Sequence, residues 1–141
     1  TLIFSGITDL LITNEIVGEQ KIRKLVSFRK HAPELTVCVD NIQNAENISQ
    51  IALKNGVTQN VLVDVNVGQN RCGVEPGETA AAFAAKVDGL KGLKLSGFQC
   101  YHGILHTLDQ YKGMEYKLEA IEKCNELIVR TKEAFIDAGV E

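Results

Sequence analysis

The sequence predicts an α/β fold built on a parallel sheet, and three observations carry that prediction. Short β-branched runs alternate with longer stretches of helical period, the alternation is strict, and it repeats four times. Helical connections make successive strands parallel, and right-handed crossovers then leave two architectures open: a doubly wound sheet or part of a (β/α) barrel. A complete barrel of that kind takes roughly 250 residues and eight units. The 141 residues hold four units, so a barrel reading is one of a partial barrel.

The first unit starts at Leu10-Leu11-Ile12. A helical stripe of Ile22, Leu25, Val26 and Phe28 follows from Gly18 and ends near Lys30-His31, ahead of Pro33. The second unit runs from Leu35 to Asp40 and continues into a helix that buries Ile48, Ile51 and Ala52. Asn55-Gly56 stops it with a C-cap signal. The third strand, Val61 to Val67, enters the polar turn Gly68-Gln69-Asn70-Arg71-Cys72-Gly73, and a helix opens near Pro76-Gly77-Glu78. The fourth, Leu93 to Tyr101, leads through a loop to a long helix carrying Met114, Leu118, Ile121, Leu127 or Ile128, and Phe135, closing at Gly139.

Composition narrows the function classes. Fifteen Lys plus Arg stand against eighteen Asp plus Glu, a formal charge of -3, with no basic block. That removes the electrostatic footprint of a nucleic-acid binder and of a polybasic membrane anchor. No apolar stretch approaches the roughly 18 residues of a span, and no basic segment followed by an apolar one opens the chain. The expectation is a cytoplasmic protein with neither nucleic-acid nor membrane partners. The first residue is Thr1, not Met, and the termini are read as possibly not natural ones. Cys38, Cys72, Cys100 and Cys124 form no Cys-x-x-Cys pair, which disfavours a structural zinc site and a thioredoxin-like motif. No dinucleotide fingerprint follows the first strand, and the Gly68–Gly73 turn lacks the Lys-Ser/Thr of a phosphate loop.

In both parallel architectures ligands meet the C-terminal strand ends. Those ends are polar here: Thr13-Asn14-Glu15, Asp40-Asn41, Asn66 with Gln69-Asn70-Arg71, and Gln99, Tyr101 and His102. The starts, at Asp9, Thr36, Asn60 and Lys94, read as ordinary solvent-facing positions. Strand alternation puts Val61, Val63, Val65 and Val67 towards the helices and Leu62, Asp64 and Asn66 on the other face; Phe98 and Cys100 likewise separate from Gly97, Gln99 and Tyr101. Asp64 and Asn66 read as internal struts, whereas Gln99 and Tyr101 at the mouth read as ligand-facing. Arg71 is the sharpest residue, because a planar cation flanked by glycines after an apolar strand suits a phenolate, carboxylate or phosphate oxygen. His102 and His106 have a metal pair's i, i+4 spacing, but Gly103 and a post-strand loop argue against one; His31 reads as a surface histidine at a helix end.

The segments Asp9–Gly18, Thr36–Asp40, Val61–Val74 and Gly97–Gly103 resemble, in order and spacing, the middle of the D-threonine aldolase family. Gly-Gln-Asn-Arg-Cys-Gly and Gln-x-Tyr-His-Gly are the more specific parts. That family groups with alanine-racemase-like pyridoxal-phosphate enzymes, which include D-serine dehydratases and have a (β/α) TIM-type barrel for the cofactor. The resemblance implies that Arg71 hydrogen-bonds the phenolic oxygen of the pyridoxal ring and that Tyr101 stands near the ring nitrogen. Gln99, His102 and Asn14 would also face the cofactor. It further implies an upstream Schiff-base lysine and, in a C-terminal β domain, the ligands of a divalent metal. None of the eleven lysines of this chain falls at a C-terminal strand end. The expectation is therefore the central part of the barrel, with no residue here acting as nucleophile and no activity alone. The whole protein is expected to be a homodimeric, cytoplasmic lyase that cleaves D-threonine or related small D-β-hydroxy-α-amino acids to glycine and an aldehyde. The alternatives are a D-serine dehydratase of the same family and a non-catalytic pyridoxal-phosphate-binding barrel protein.

Overall fold

The computed structural model describes residues 2–140 and sets four parallel strands side by side in chain order. These are β1 (Leu11–Ile12), β2 (Thr36–Val39), β3 (Gln59–Val65) and β4 (Leu93–Cys100). Between and after them come α1 (Glu19–Phe28), α2 (Ile42–Lys54), α3 (Glu78–Asp88), the short α4 (Leu108–Lys112) and α5 (Met114–Asp137). The consecutive order decides between the two architectures. A doubly wound sheet reverses its direction of growth to put helices on both faces, whereas right-handed crossovers that always advance the same way lay every helix on one face. The sheet is thus an arc of a (β/α) barrel, with β1 and β4 at its edges.

Helix packing follows the apolar stripes. Ile22, Leu25 and Val26 of α1 and Ala45, Ile48, Ile51 and Ala52 of α2 are buried against Val37, Val39, Val61, Val63 and Val65 of the sheet. Asn41 caps α2 by accepting the backbone N–H of Asn44 at 3.1 Å. Small residues, Ala80, Ala81 and Ala84, form the inner side of α3 and allow close approach. α5 buries only Cys124, Thr131 and Phe135, with Phe135 tilted against Phe98 at a centroid distance of 5.0 Å.

Thr131 links two elements through one hydroxyl. Its Oγ1 donates to the Leu127 carbonyl at 2.7 Å and accepts the Gly77 N–H at 2.8 Å, wholly buried where α3 begins. Thr131→Val keeps the shape but leaves that N–H without an acceptor, so it should destabilise the fold by about 1–3 kcal/mol. Urea denaturation measures this; an unchanged midpoint would remove the hydroxyl from the account.

Three sequence expectations shift. β3 begins at Gln59 and ends at Val65, two residues ahead of the apolar run, and Asn60 does not face solvent but is buried. Gln59 Nε2 donates to Leu35 O at 2.8 Å, while Asn60 donates to Pro33 O at 3.3 Å and accepts from Arg29 Nη2 at 3.1 Å. Those partners make the polar start of the strand affordable inside the protein. The loop expected after β4 contains a 3-10 turn (Gly103–His106) and α4. β4 itself changes phase midway: Val61 pairs with Leu95, but Val63 pairs with Phe98, so Ser96 and Gly97 together oppose Leu62. Gly97 has φ +122°, the positive backbone angle that such a bulge requires.

Candidate active site at the C-terminal strand ends

The bulge builds the site. Leu93 and Leu95 point to the helices, and an unbroken period of two would send Gln99 the same way. One extra residue sends Phe98 and Cys100 to the core instead, leaving Gln99 opposite its register partner Asp64. Gln99 Nε2 then donates to Asp64 Oδ1 at 3.3 Å and to the Thr13 carbonyl at 3.4 Å, which joins the ends of β1, β3 and β4.

The turn after β3 is held by its own side chains. Asn66 Oδ1 accepts the backbone N–H groups of Gly68 at 3.1 Å and Asn70 at 3.0 Å, and its Nδ2 donates to Asn70 Oδ1 at 2.9 Å. Asn70 adopts φ +56°, which Asn tolerates better than most residues. Gly73 brings the chain back against β3: its N–H donates to Asp40 Oδ2 at 3.0 Å, and Val74 bridges to Val65. At the far side Gln69 Oε1 accepts the Gly103 N–H at 2.6 Å and ties this turn to the segment after β4. Asn66 is therefore the strut expected of it.

Arg71, carried by the turn, lies over the Tyr101 ring at 5.7 Å from its centroid. Both are exposed at the mouth of a cavity of about 430 Å³ whose walls include Thr13, Asp64, Gln69, Arg71, Gln99 and Tyr101. The structure brings three expected residues, Arg71, Tyr101 and Gln99, to that cavity. Asn14 and His102 are not among its lining residues. Asn14 is exposed and donates to the Glu15 carbonyl at 3.4 Å, while His102 packs where a Cβ on Gly68 would lie 3.0 Å from its Nε2. His102 Nδ1 is buried without a protein partner. His31 is exposed at the end of α1, with its ring 6.1 Å from that of Phe4.

Sequence reasoning placed Thr13, Gln69 and Glu15 at strand ends without singling them out. Alternation from Leu11 to Thr13 was the available signal for the first. The carboxyls of Glu15 and Asp64 and the Cys72 Sγ lie within 4.8 Å of one another, and Asp64 and Cys72 also line the cavity. Burial, followed by the neighbouring Asp40 and Asp64, raises the Glu15 carboxyl above its ordinary range against the pull of its backbone hydrogen bond. Burial also pushes the Cys38 and Cys100 thiols up to about 12 and raises Cys72 and Cys124, so none is an activated thiolate. All four thiols are free. The hydrogen bond from Arg71 to Cys72 holds the guanidinium further in its charged form.

These groups suit part of a pyridoxal-phosphate site. The cavity has room for an aromatic ring, a fixed cation for a phenolate oxygen, and a phenol and an amide for the rest of the ring. Among the described residues, no lysine lines it. Comparison with known proteins shows the family. Residues 7–136 match the family model described as alanine racemase, N-terminal domain. The chain is 32% identical over 136 residues to a D-threonine aldolase of an Arthrobacter species, covering 96% of this chain and 35% of that protein. It is 34% identical over 133 residues to a 3-hydroxy-D-aspartate aldolase of Paracoccus denitrificans, covering 94% and 33%. The solved D-threonine aldolase from Filomicrobium marinum superposes with a TM-score of 0.90 at 34% identity, covering 99% of this chain and 37% of that one. The chain thus spans about a third of the length of the curated relatives it matches. A four-unit arc with its cation-bearing turn after the third strand, matched along residues 7–136, belongs to the alanine racemase N-terminal domain family.

Proposed function

We propose that this chain is the central, cofactor-facing part of a pyridoxal-phosphate-dependent lyase that cleaves small D-β-hydroxy-α-amino acids to glycine and an aldehyde. One observation carries the reading: Arg71 and Tyr101 stand together at the mouth of a cavity formed by the C-terminal strand ends. The names of the similar proteins, D-threonine aldolase and 3-hydroxy-D-aspartate aldolase, direct it towards carbon-carbon cleavage. When bound, pyridoxal phosphate supplies an electron sink for the carbanion left by that cleavage. This chain binds and orients the ring. Arg71 holds an anionic ring oxygen by charge-assisted hydrogen bonds. Tyr101 would offer its phenol hydroxyl to the ring nitrogen, a weaker partner than a charged side chain. Gln99, with its Nε2 engaged by Asp64 and Thr13, would offer its side-chain oxygen to the ligand as an acceptor.

The Schiff-base lysine belongs to an earlier barrel strand and the divalent-metal ligands to a C-terminal domain of the full-length protein, which is cytoplasmic and acts as a homodimer. No helix among the described residues is long and apolar enough to cross a membrane. The test is to incubate the full-length protein, loaded with pyridoxal phosphate and a divalent metal, with D-threonine and with 3-hydroxy-D-aspartate. Glycine and an aldehyde should appear, and a chelator should abolish both. Ammonia and a 2-oxo acid would mark a dehydratase like the D-serine enzymes, and cofactor binding without turnover would mark a non-catalytic carrier.

A further inference from the structure

Glu15 has no part in the cofactor contacts above, yet its carboxyl adjoins two residues that line the same cavity. It follows β1, and its carboxyl, that of Asp64 and the Cys72 Sγ all lie within 4.8 Å of one another. Asp64 is only 4% exposed, and Glu15 Oε1 is sealed from solvent with no hydrogen-bond partner. The titratable groups that face the Glu15 carboxyl are Asp64 from β3, Asp40 and Cys38 from β2 and its end, and Cys72 from the turn; each is an acid. The nearby cation, Arg71, is exposed, occupied by the Tyr101 ring, and acts on Asp64.

Two carboxylates this close, Asp64 buried and Glu15 partly so with one oxygen sealed, do not both stay ionised. The one with donors keeps its charge. Asp64 takes the Gln99 N–H at 3.3 Å and feels Arg71, whereas Glu15 has a backbone hydrogen bond alone, and burial outweighs it. We propose that Glu15 is a positioning residue that bears a proton shared with Asp64, leaving on Asp64 the single negative charge that orients Gln99 and faces Arg71. This rests on reading the cavity as the pyridoxal-phosphate site. With the proton in place, Arg71 remains available to an anionic ring oxygen; without it, a second carboxylate draws on the same guanidinium and repels the incoming anion.

The sign follows from the raised carboxyl. Its proton is retained above the ordinary glutamate range and lost as pH climbs through the raised value. The folded protein then binds more protons than the unfolded chain across that window, so both its stability and its hold on the ligand fall as pH rises. The experiment compares full-length wild type with Glu15→Gln, which is permanently neutral. Infrared difference spectra recorded without cofactor should show a protonated-carboxyl C=O band in wild type that fades with rising pH and is missing from E15Q. Spectroscopic titration with pyridoxal phosphate should show wild-type affinity dropping by about tenfold per pH unit above that transition, with no such break in E15Q. If the band persists in E15Q, or is seen in neither protein, the shared proton is refuted; so it is if the two affinity profiles coincide. A band that emerges only after a chelator is added would place a cation where the proton should be and also overturns it. Should the protein bind no pyridoxal phosphate at all, the cofactor reading fails, while the infrared band still decides the proton.

Discussion

Arg71→Ala lowers the affinity of the full-length protein for pyridoxal phosphate by about 10–100-fold, the usual consequence of deleting hydrogen bonds to a charged group. The loss is expected to be clean. Arg71 is exposed and meets the Tyr101 ring and the Cys72 thiol, so nothing in the core depends on it. The urea midpoint should therefore stay at the wild-type value while the cofactor absorbance titrates at higher concentration. Arg71→Lys should recover only part of the affinity, because a point charge replaces the fork that can donate twice to one oxygen. Wild-type titration curves in both variants would remove Arg71 from the site.

Gly73→Ala has the largest expected effect on stability, about 3–5 kcal/mol. Two causes combine. The residue has φ +96°, and a Cβ there would lie 2.7 Å from the Asn66 backbone nitrogen and 2.8 Å from the Val65 carbonyl carbon. Those are backbone atoms at the end of β3 and just past it, and they cannot step aside without breaking the Val65–Val74 bridge and the bond from Gly73 to Asp40. Gly56→Ala separates strain from collision, since Gly56 also has positive φ, +65°, but nothing lies within 4 Å of its would-be Cβ. It should lose about 1–2 kcal/mol, from the backbone alone. Equal denaturation midpoints for the two variants would show that the close approach at Gly73 contributes nothing.

The expected R71A and G73A results trace to one turn, and its legibility in the sequence was uneven. That a polar, glycine-bounded segment with an arginine follows an apolar strand is visible in the order of residues. Which atom each glycine touches is not, because Gly73 meets β3 through a chain reversal that no local pattern encodes. The same division holds for the fold. The helices and the Val-rich strand interiors declare themselves because burial on one face imposes a period. The start of β3 does not: Asn60 reads as solvent-facing, yet it and Gln59 are buried with bonds to Leu35, Pro33 and Arg29, 24 to 31 residues distant, while Gln59 Oε1 is left without a partner. Nor do Thr13 and Asn14 distinguish themselves by chemistry. The strand's alternation sends one into the cavity wall and leaves the other outside it. The faces of β4 near its end were legible from Phe98 and Cys100, but the bulge that reconciles them with Leu93 and Leu95 appears only in the pairing with β3.

That bulge at Gly97 makes β4 two modules joined by a phase reset. Upstream of it, substitutions at Leu93 and Leu95 change packing; downstream, substitutions at Gln99 and Tyr101 change the cavity wall, and at Gln99 also its bonds to Asp64 and Thr13. Redesign of the cavity for bulkier substrates can accordingly be confined to the second module. Deleting Gly97 would leave Ser96 alone opposite Leu62 and restore regular pairing, so Phe98 and Gln99 should keep their faces while the local bend of the strand is lost.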